Sequence, residues 1–363
     1  MVPPKDFTDF LAPEEVSLKI EPEERFELID VNRLLQSRAE TFETFSKAVY
    51  TSYHTTAGFL EQNFCSRLKH DSESLGSYLE TFRELFPPDA DYTHDKMDLR
   101  EELSQSQRLV EPRNADSHLT YIGSGLANVV TYANEIDRPV YFVELDGINR
   151  GQKRTRTASV IGYNREKLEE RLVREIAVSN HSMDSINLWD SRIGFLQELQ
   201  EIADSLGIQK GRIDIALVAD ERNAGLTVNE YETLLMRRDL MEVLDNPMRF
   251  MAKKGYHMLR DPRAIPGKAK NYAKYDLVRV VNKFIDKAGL NESVVERIID
   301  KFLAVPASRF LRMKRGVSLL VSDGGADQRG AIRHGQYQSP ILVQWNKAES
   351  QRRLLEVSFV RFE

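Results

Sequence analysis

The feature that most constrains this chain is a set of short signals that occurs twice, in the same order. In the first half, Tyr53-His54-Thr55-Thr56-Ala57-Gly58-Phe59 follows a strand-like run at 48–53 and opens a helical one. In the second half, Ala224-Gly225-Leu226-Thr227-Val228-Asn229-Glu230 follows a strand with alternating Ile213, Ile215 and Leu217. Further on, Arg138-Pro139-Val140-Tyr141-Phe142-Val143-Glu144 is paralleled by Gln338-Ser339-Pro340-Ile341-Leu342-Val343-Gln344-Trp345, and each half closes on a basic strand, at 151–157 and 352–357. Two such matches arise by chance; several in one order, each on the same kind of element, mark a tandem duplication. A chain of 363 residues has room for two domains of about 150–200 residues. Two copies with so long a period make fused domains and not a solenoid. The expected fold class is α+β: two fused modules, each a mainly antiparallel sheet packed with helices.

The expected boundaries are an extended arm at 1–25, a first module at 26–163 and a second at 164–363. In the first module the apolar spacing of Phe64, Leu68, Leu75, Leu79, Phe82 and Leu85 predicts one amphipathic helix over about 60–86, stopped by Pro87-Pro88. A loop to Asn114 and a strand over 139–145 come next. A helix near 193–206 belongs to the second module, which also carries an insert at about 245–305. That insert reads as two helices, 277–287 and 293–303, the latter opened by a Ser293/Glu296 capping box and followed by Pro306.

Composition narrows the class without touching the chemistry. Apolar residues make up 41% of the chain and the formal net charge is −5, so a dedicated nucleic-acid binder is not expected. No apolar run approaches the ~20 residues of a membrane span. The opening residues lack the apolar stretch of a signal peptide. The lone Cys65 cannot form an internal disulfide, which makes a reducing cytoplasm the expected location. No phosphate-binding glycine loop occurs, so nucleotide folds built on one find no support. The basic run at 251–274, with Tyr256, His257 and Tyr272 interleaved, is a solvated loop, a nucleic-acid patch or a lid over an anionic ligand.

Four stretches resemble, in order, stations of the YjbQ family: Tyr53-His54-Thr55-Thr56-Ala57-Gly58, Tyr92-Thr93-His94-Asp95, Asn114-Ala115-Asp116-Ser117-His118-Leu119, and Val143-Glu144-Leu145-Asp146-Gly147. The family pattern runs H-T-T-A-x-L-x-x-N-E, Y-x-H-D, N-A-x-x-H-L, G-x-W-Q and E-x-D-G-P-R. The resemblance covers residues 25–163. It implies a compact α+β domain, usually a homotrimer, with its histidines in one pocket and the label secondary thiamine-phosphate synthase. The two copies depart from the pattern in complementary ways. The first has Gln62-Asn63 in place of N-E, Glu135-Ile136-Asp137-Arg138 in place of G-x-W-Q, and Asp146-Gly147-Ile148-Asn149-Arg150 at its end. The second keeps Asn229-Glu230 and Gly335-Gln336-Tyr337-Gln338, but has Glu221-Arg222-Asn223 and Ser308-Arg309-Phe310-Leu311 where histidines would stand. Either one composite site or one live site beside a decayed one follows.

On the resemblance, His54, His94 and His118 are expected to hold a divalent metal ion, zinc or magnesium, with an open position for water or substrate. Without it, their spacing does not separate a ligand set from three unrelated side chains. Asp95 either orients a histidine or joins the metal shell. Glu144 is a candidate acid or base if buried, or else a partner of Arg150 or Arg156. Thr55, Thr56, Asn114 and Arg150 are assigned to substrate, with turn-backbone bonding the alternative for the threonines. The expected function is a metal-dependent enzyme acting on a small phosphorylated metabolite, thiamine-phosphate synthase-like. A metal-dependent hydrolase and a non-catalytic binding or assembly protein are the alternatives. The expected partners are that small molecule and other copies of the chain, as a trimer of two-module chains, without membrane or nucleic acid.

Overall fold

The computed structural model describes residues 11–36, 40–135, 137–245, 250, 313–324 and 329–363. The helices of the insert, the basic run at 251–274 and the stretch 308–311 lie outside the described residues. Among those described, no helix is long and apolar enough to cross a membrane.

The first half contains β1 (Glu14–Ile20), β2 (Glu27–Asp30), α1 (Val31–Gln36), β3 (Lys47–Ser52), β4 (Ala57–Gly58), α2 (Gln62–Arg67), α3 (Ser72–Leu85), α4 (Gln105–Val110) and α5 (Ala115–Ser124). It continues with β5 (Val129–Ala133), β6 (Tyr141–Glu144), β7 (Ile148–Asn149), β8 (Gln152–Lys153) and β9 (Arg156–Tyr163). The second half contains β10 (Glu166–Ala177), β11 (Asp184–Asn187), α6 (Phe195–Ser205), β12 (Gly211–Leu217), β13 (Ala224–Asn229) and α7 (Leu240–Asp245). After the insert come β14 (Gly316–Ser322), β15 (Ala331–Arg333), β16 (Ser339–Gln344) and β17 (Arg352–Phe362).

Strand order carries the duplication. One sheet of the first half runs β1-β9-β3-β5, and its counterpart runs β10-β17-β12-β14, extended by β15. The smaller sheets run β2-β6-β4 and β11-β16-β13. The registers agree too: Ala57 lies opposite Glu144 and Gly58 opposite Val143, as Ala224 lies opposite Gln344 and Gly225 opposite Val343. All the named ladders are antiparallel, so the fold is α+β and built of two like modules.

Several local expectations are corrected. Residues 14–20, expected in an arm, form the edge strand β1, because Leu18 and Ile20 alternate inward and are buried. The single helix over 60–86 is two. Lys69 and His70 adopt left-handed φ of 56° and 52°, and Asp71 then caps α3 by accepting from Ser74 N at 2.7 Å. The loop before Asn114 holds α4, opened by a Ser104/Gln107 capping box. Asn114 itself leads into α5, which ends at Gly125 with φ 73°.

The modules share a core. Leu235, Met236, Leu240, Val243 and Ile341 of the second pack in one apolar cluster with Phe59, Leu79, Leu119 and Phe142 of the first. A second contact, between the large sheets, joins Val49, Ile161 and Tyr163 to Leu320, Val360 and Phe362. Gly58 is where β4 and α5 meet most closely: a Cβ there would lie 2.6 Å from Ala127 O and 2.8 Å from Tyr121 Cε2. Backbone on one side and a buried ring on the other leave little room to yield. Gly58→Ala is therefore expected to cost ~1–3 kcal/mol, read as a lower urea midpoint at unchanged slope. An unaltered midpoint would show that α5 shifts freely.

Candidate functional site at the module seam

The helix α5 is buried along its whole length although half of it is polar. That is uncommon, since a buried polar group needs a partner, and here each named one has it. Asp116 pairs with Arg25 at 2.9 Å, Ser117 Oγ donates to Leu145 O at 2.9 Å, and His118 Nδ1 meets Asn229 Oδ1 at 2.8 Å. Asn229 belongs to the second module. Its Nδ2 donates to Thr55 O at 2.8 Å, which leaves the carbonyl end of the amide facing His118. The His118 proton therefore sits on Nδ1 and the Nε2 lone pair is free.

His94 reaches the same place from the turn after Tyr92. Its ring lies 5.4 Å from that of His118. Nδ1 bonds to Asp95 Oδ1 at 2.9 Å, and Arg100 Nη1 stands 3.4 Å from Nε2. Asp95 Oδ1 also accepts from Ala115 N at 3.1 Å, tying the turn to the start of α5. The turn is held from the second module by buried Asp239, which accepts from Thr93 N at 2.9 Å and His94 N at 2.8 Å.

The carboxylate in this cluster is Glu230, also from the second module. Glu230 Oε2 lies 3.6 Å from His118 Nε2, and Arg100 Nη2 lies 3.6 Å from Glu230 Oε1. One ligand atom each from His94, His118 and Glu230 falls within 4.8 Å of the others. Two imidazoles and a carboxylate are a donor set for a divalent transition metal. Both rings donate Nδ1–H to an oxygen and turn Nε2 inward, the arrangement that orients metal-binding histidines. The residues present therefore fit such an ion. Arg100, 2% exposed and paired with Glu102 at 2.6 Å, brings a fixed positive charge to the same spot.

The charges are unequally tuned. Burial opposes protonation of His94, but the hydrogen bond and charge of Asp95 outweigh it and hold the ring above its usual value. Burial, then the neighbouring His94, push His118 well below its own. Burial raises Glu230 against the pull of His94 and Arg100.

The other expected residues stand elsewhere. His54 is not in the cluster: its Nε2 accepts from Thr157 N at 2.8 Å, and Gln338 of the second module donates to its carbonyl at 2.9 Å. Glu144 is fully buried and held by Arg156, which donates from Nε at 2.6 Å and from Nη2 at 2.7 Å. Burial raises its pKa and Arg156 opposes the rise. Thr56 Oγ1 accepts from Arg156 Nη2 at 3.2 Å, and Asn114 Nδ2 donates to Asp146 Oδ2 at 2.8 Å. Arg150 is exposed on the tip of the β7–β8 hairpin and donates to Leu109 O. The chain returns at Arg154, whose N–H donates to Gly147 O at 2.9 Å. Arg154 thus takes the place directly after Asp146-Gly147 that Arg150 was expected to fill. Sequence reading passed over Glu230, Asn229, Asp239, Arg100 and Arg154 as site residues. The signal for the first two was present: N-E is lost in the copy with histidines and kept in the copy without.

No family model matches the chain, and no curated protein matches it. Solved structures do. A YbjQ-like protein of unknown function from Sulfolobus solfataricus P2 is 13% identical, with a TM-score of 0.27, over 54% of this chain and 99% of that one. A hypothetical protein from Aeropyrum pernix K1 is 14% identical, with a TM-score of 0.27, over 52% and 97%. An uncharacterized conserved protein of the yjbq/upf0047 family from Clostridium acetobutylicum is 13% identical, with a TM-score of 0.24, over 53% and 99%. The two-module architecture is read from the chain's own ladders.

His54 gives a pH test. Burial first, then Arg156 and Arg154, depress its pKa from 6.5 to about 3. Between those values the unfolded chain binds a proton that the folded chain refuses, so stability is lost as pH falls through that window. The slope approaches ~1.4 kcal/mol per pH unit for one such group. Chemical denaturation between pH 7 and 4 should show His54→Gln with a shallower loss than the parent. Parallel curves would remove His54 as a buried neutral ring.

Proposed function

We propose that the seam site is that of a divalent-cation-dependent enzyme acting on a small phosphorylated molecule. The observation that carries this reading is the convergence of His94, His118 and Glu230, with both rings locked so that Nε2 faces inward. A cation bound there would polarise a phosphoryl oxygen or stabilise a departing phosphate. The chain's own residues do the rest. Asp95 and Asn229 fix the two rings, and Arg100 offers a guanidinium to developing negative charge. Glu230 faces the cluster as the carboxylate of its donor set. Hydrolysis of a phosphate ester needs no more than this. The thiamine-phosphate-synthase type of transfer, in which pyrophosphate leaves a pyrimidine diphosphate and a thiazole nitrogen takes its place, uses the same elements. One observation favours a non-catalytic reading: Arg100 already neutralises Glu230 at 3.6 Å, so the cluster is satisfied without a cation and can serve to join the modules.

Zinc titration of chelator-stripped protein by calorimetry separates the readings. One saturable site is expected, weakened at least tenfold in His94→Ala, His118→Ala and Glu230→Gln and retained in His54→Gln. Absence of saturable binding, or loss in His54→Gln with retention in Glu230→Gln, would sink the assignment. Release of inorganic phosphate from a panel of phosphorylated metabolites, with and without the cation, then reads the activity.

A further inference from the structure

We propose that Arg154 and His54 form a phosphate-binding subsite beside the His94–His118–Glu230 cluster, giving the phosphorylated ligand its anchoring point. Two hydrogen-bond donors carry the argument. Arg154 is fixed at one end, where Nη2 donates to Asp146 Oδ2 at 2.7 Å. Asp146 is fixed in turn by Asn114 Nδ2 at 2.8 Å and by Arg25 at 3.8 Å. The Arg154 Nε, however, is buried and has no hydrogen-bond partner among the described residues. A buried N–H left unpaired is costly, and a charged one more so, so the position suits an added acceptor.

His54 supplies the second donor. Because Nε2 accepts from Thr157 N, the proton of the neutral ring lies on Nδ1. Among the described residues no acceptor meets that Nδ1. The neighbouring Arg156 does not compete, since its Nε and Nη2 are spent on Glu144, Thr56 Oγ1 and Asp146 O. Arg154 and Arg156 both donate to Asp146, Thr157 N holds His54, and Asn114 on the same carboxylate opens the helix that carries His118, which sets Arg154 beside both the free donor and the metal-type cluster.

A guanidinium with a free Nε and an imidazole N–H match the oxygens of a tetrahedral phosphate better than they match a planar or neutral group. Anchored there, a phosphorylated ligand would present its reacting end to Glu230 and Arg100. The hairpin formed by β7 and β8 has the opposite role. It carries Arg150 out to the surface, so this arginine, four residues before Arg154, is a built-in control.

The proposal rests on the reading that the seam takes a phosphorylated ligand, and its test is separable from that of the cation site. Binding of inorganic phosphate is measured by calorimetry in chelated and in zinc-supplied protein. Saturable binding is expected in at least one form. It should weaken at least tenfold in Arg154→Gln and in Arg154→Lys, and stay unchanged in Arg150→Gln. The lysine variant keeps a positive charge for Asp146 and lacks the guanidinium Nε donor, so thermal melting that matches the parent excludes misfolding as the cause. Zinc affinity should be retained in both Arg154 variants. Phosphate binding equal to the parent in Arg154→Lys, or none in the parent in either form, overturns the subsite even where zinc binds. Phosphate binding lost with Arg154 in a protein that takes no zinc upholds it and removes the cation reading alone.

Discussion

One side-chain amide holds the site together. Asn229, fully buried, spans the seam with its nitrogen on Thr55 O and its oxygen on His118. Its flip state is fixed by the carbonyl, and the histidine's tautomer follows from the flip state. Neither end can be left unpaired without a cost of about 1–3 kcal/mol. The remaining seam contacts share its direction. Asp239 receives the amides of Thr93 and His94, and Gln338 donates to the carbonyls of Ser52 and His54. In each case a buried side chain of the second module satisfies backbone of the first, in the turn at Thr93–His94 and at the end of β3 and just beyond it. The second module contributes no imidazole to the cluster and still completes the site.

Comparison of the two modules separates scaffold from chemistry. Arg156 lies opposite Ile20, and Arg353 occupies the corresponding place opposite Ile176. Arg156 is paired with Glu144 on β6. At the equivalent position of β16 stands Gln344, and Arg353 finds its carboxylate on the loop between β12 and β13, where Nη1 lies 2.7 Å from Glu221 Oε2. The arginine and a negative partner persist in a module without the histidine cluster, although the carboxylate has moved to another element. A buried pair is costly to break once formed, because either charge left alone is uncompensated. That pattern argues that Glu144 supports the fold, while Glu230, which meets the histidines, supports the chemistry.

The arrangement also explains why α5 can be polar and buried at once. Its Asp116, Ser117 and His118 are matched by Arg25 before it, by Leu145 after β6 and by Asn229 from the other module. These partners come from distant parts of the chain, so the helix is specified by its surroundings more than by propensity. A helix so constrained presents His118 in one orientation only, which is what a site needs from its scaffold.

The sequence by itself determined the duplication, the α+β class and the strands that precede Ala57-Gly58 and Ala224-Gly225, because residue order and two-residue alternation are local properties. It also showed that one copy had lost what the other kept. The break at Lys69–His70 was not legible, since apolar spacing continues across it while two left-handed residues redirect the chain. Nor was the carboxylate of the cluster. Glu230 joins His94 and His118 only because the end of β13 in the second module packs against α5 of the first, and His54 leaves the cluster because a backbone amide at Thr157 takes its lone pair. Packing between distant segments decides which side chains converge, and no spacing along the chain encodes that distance.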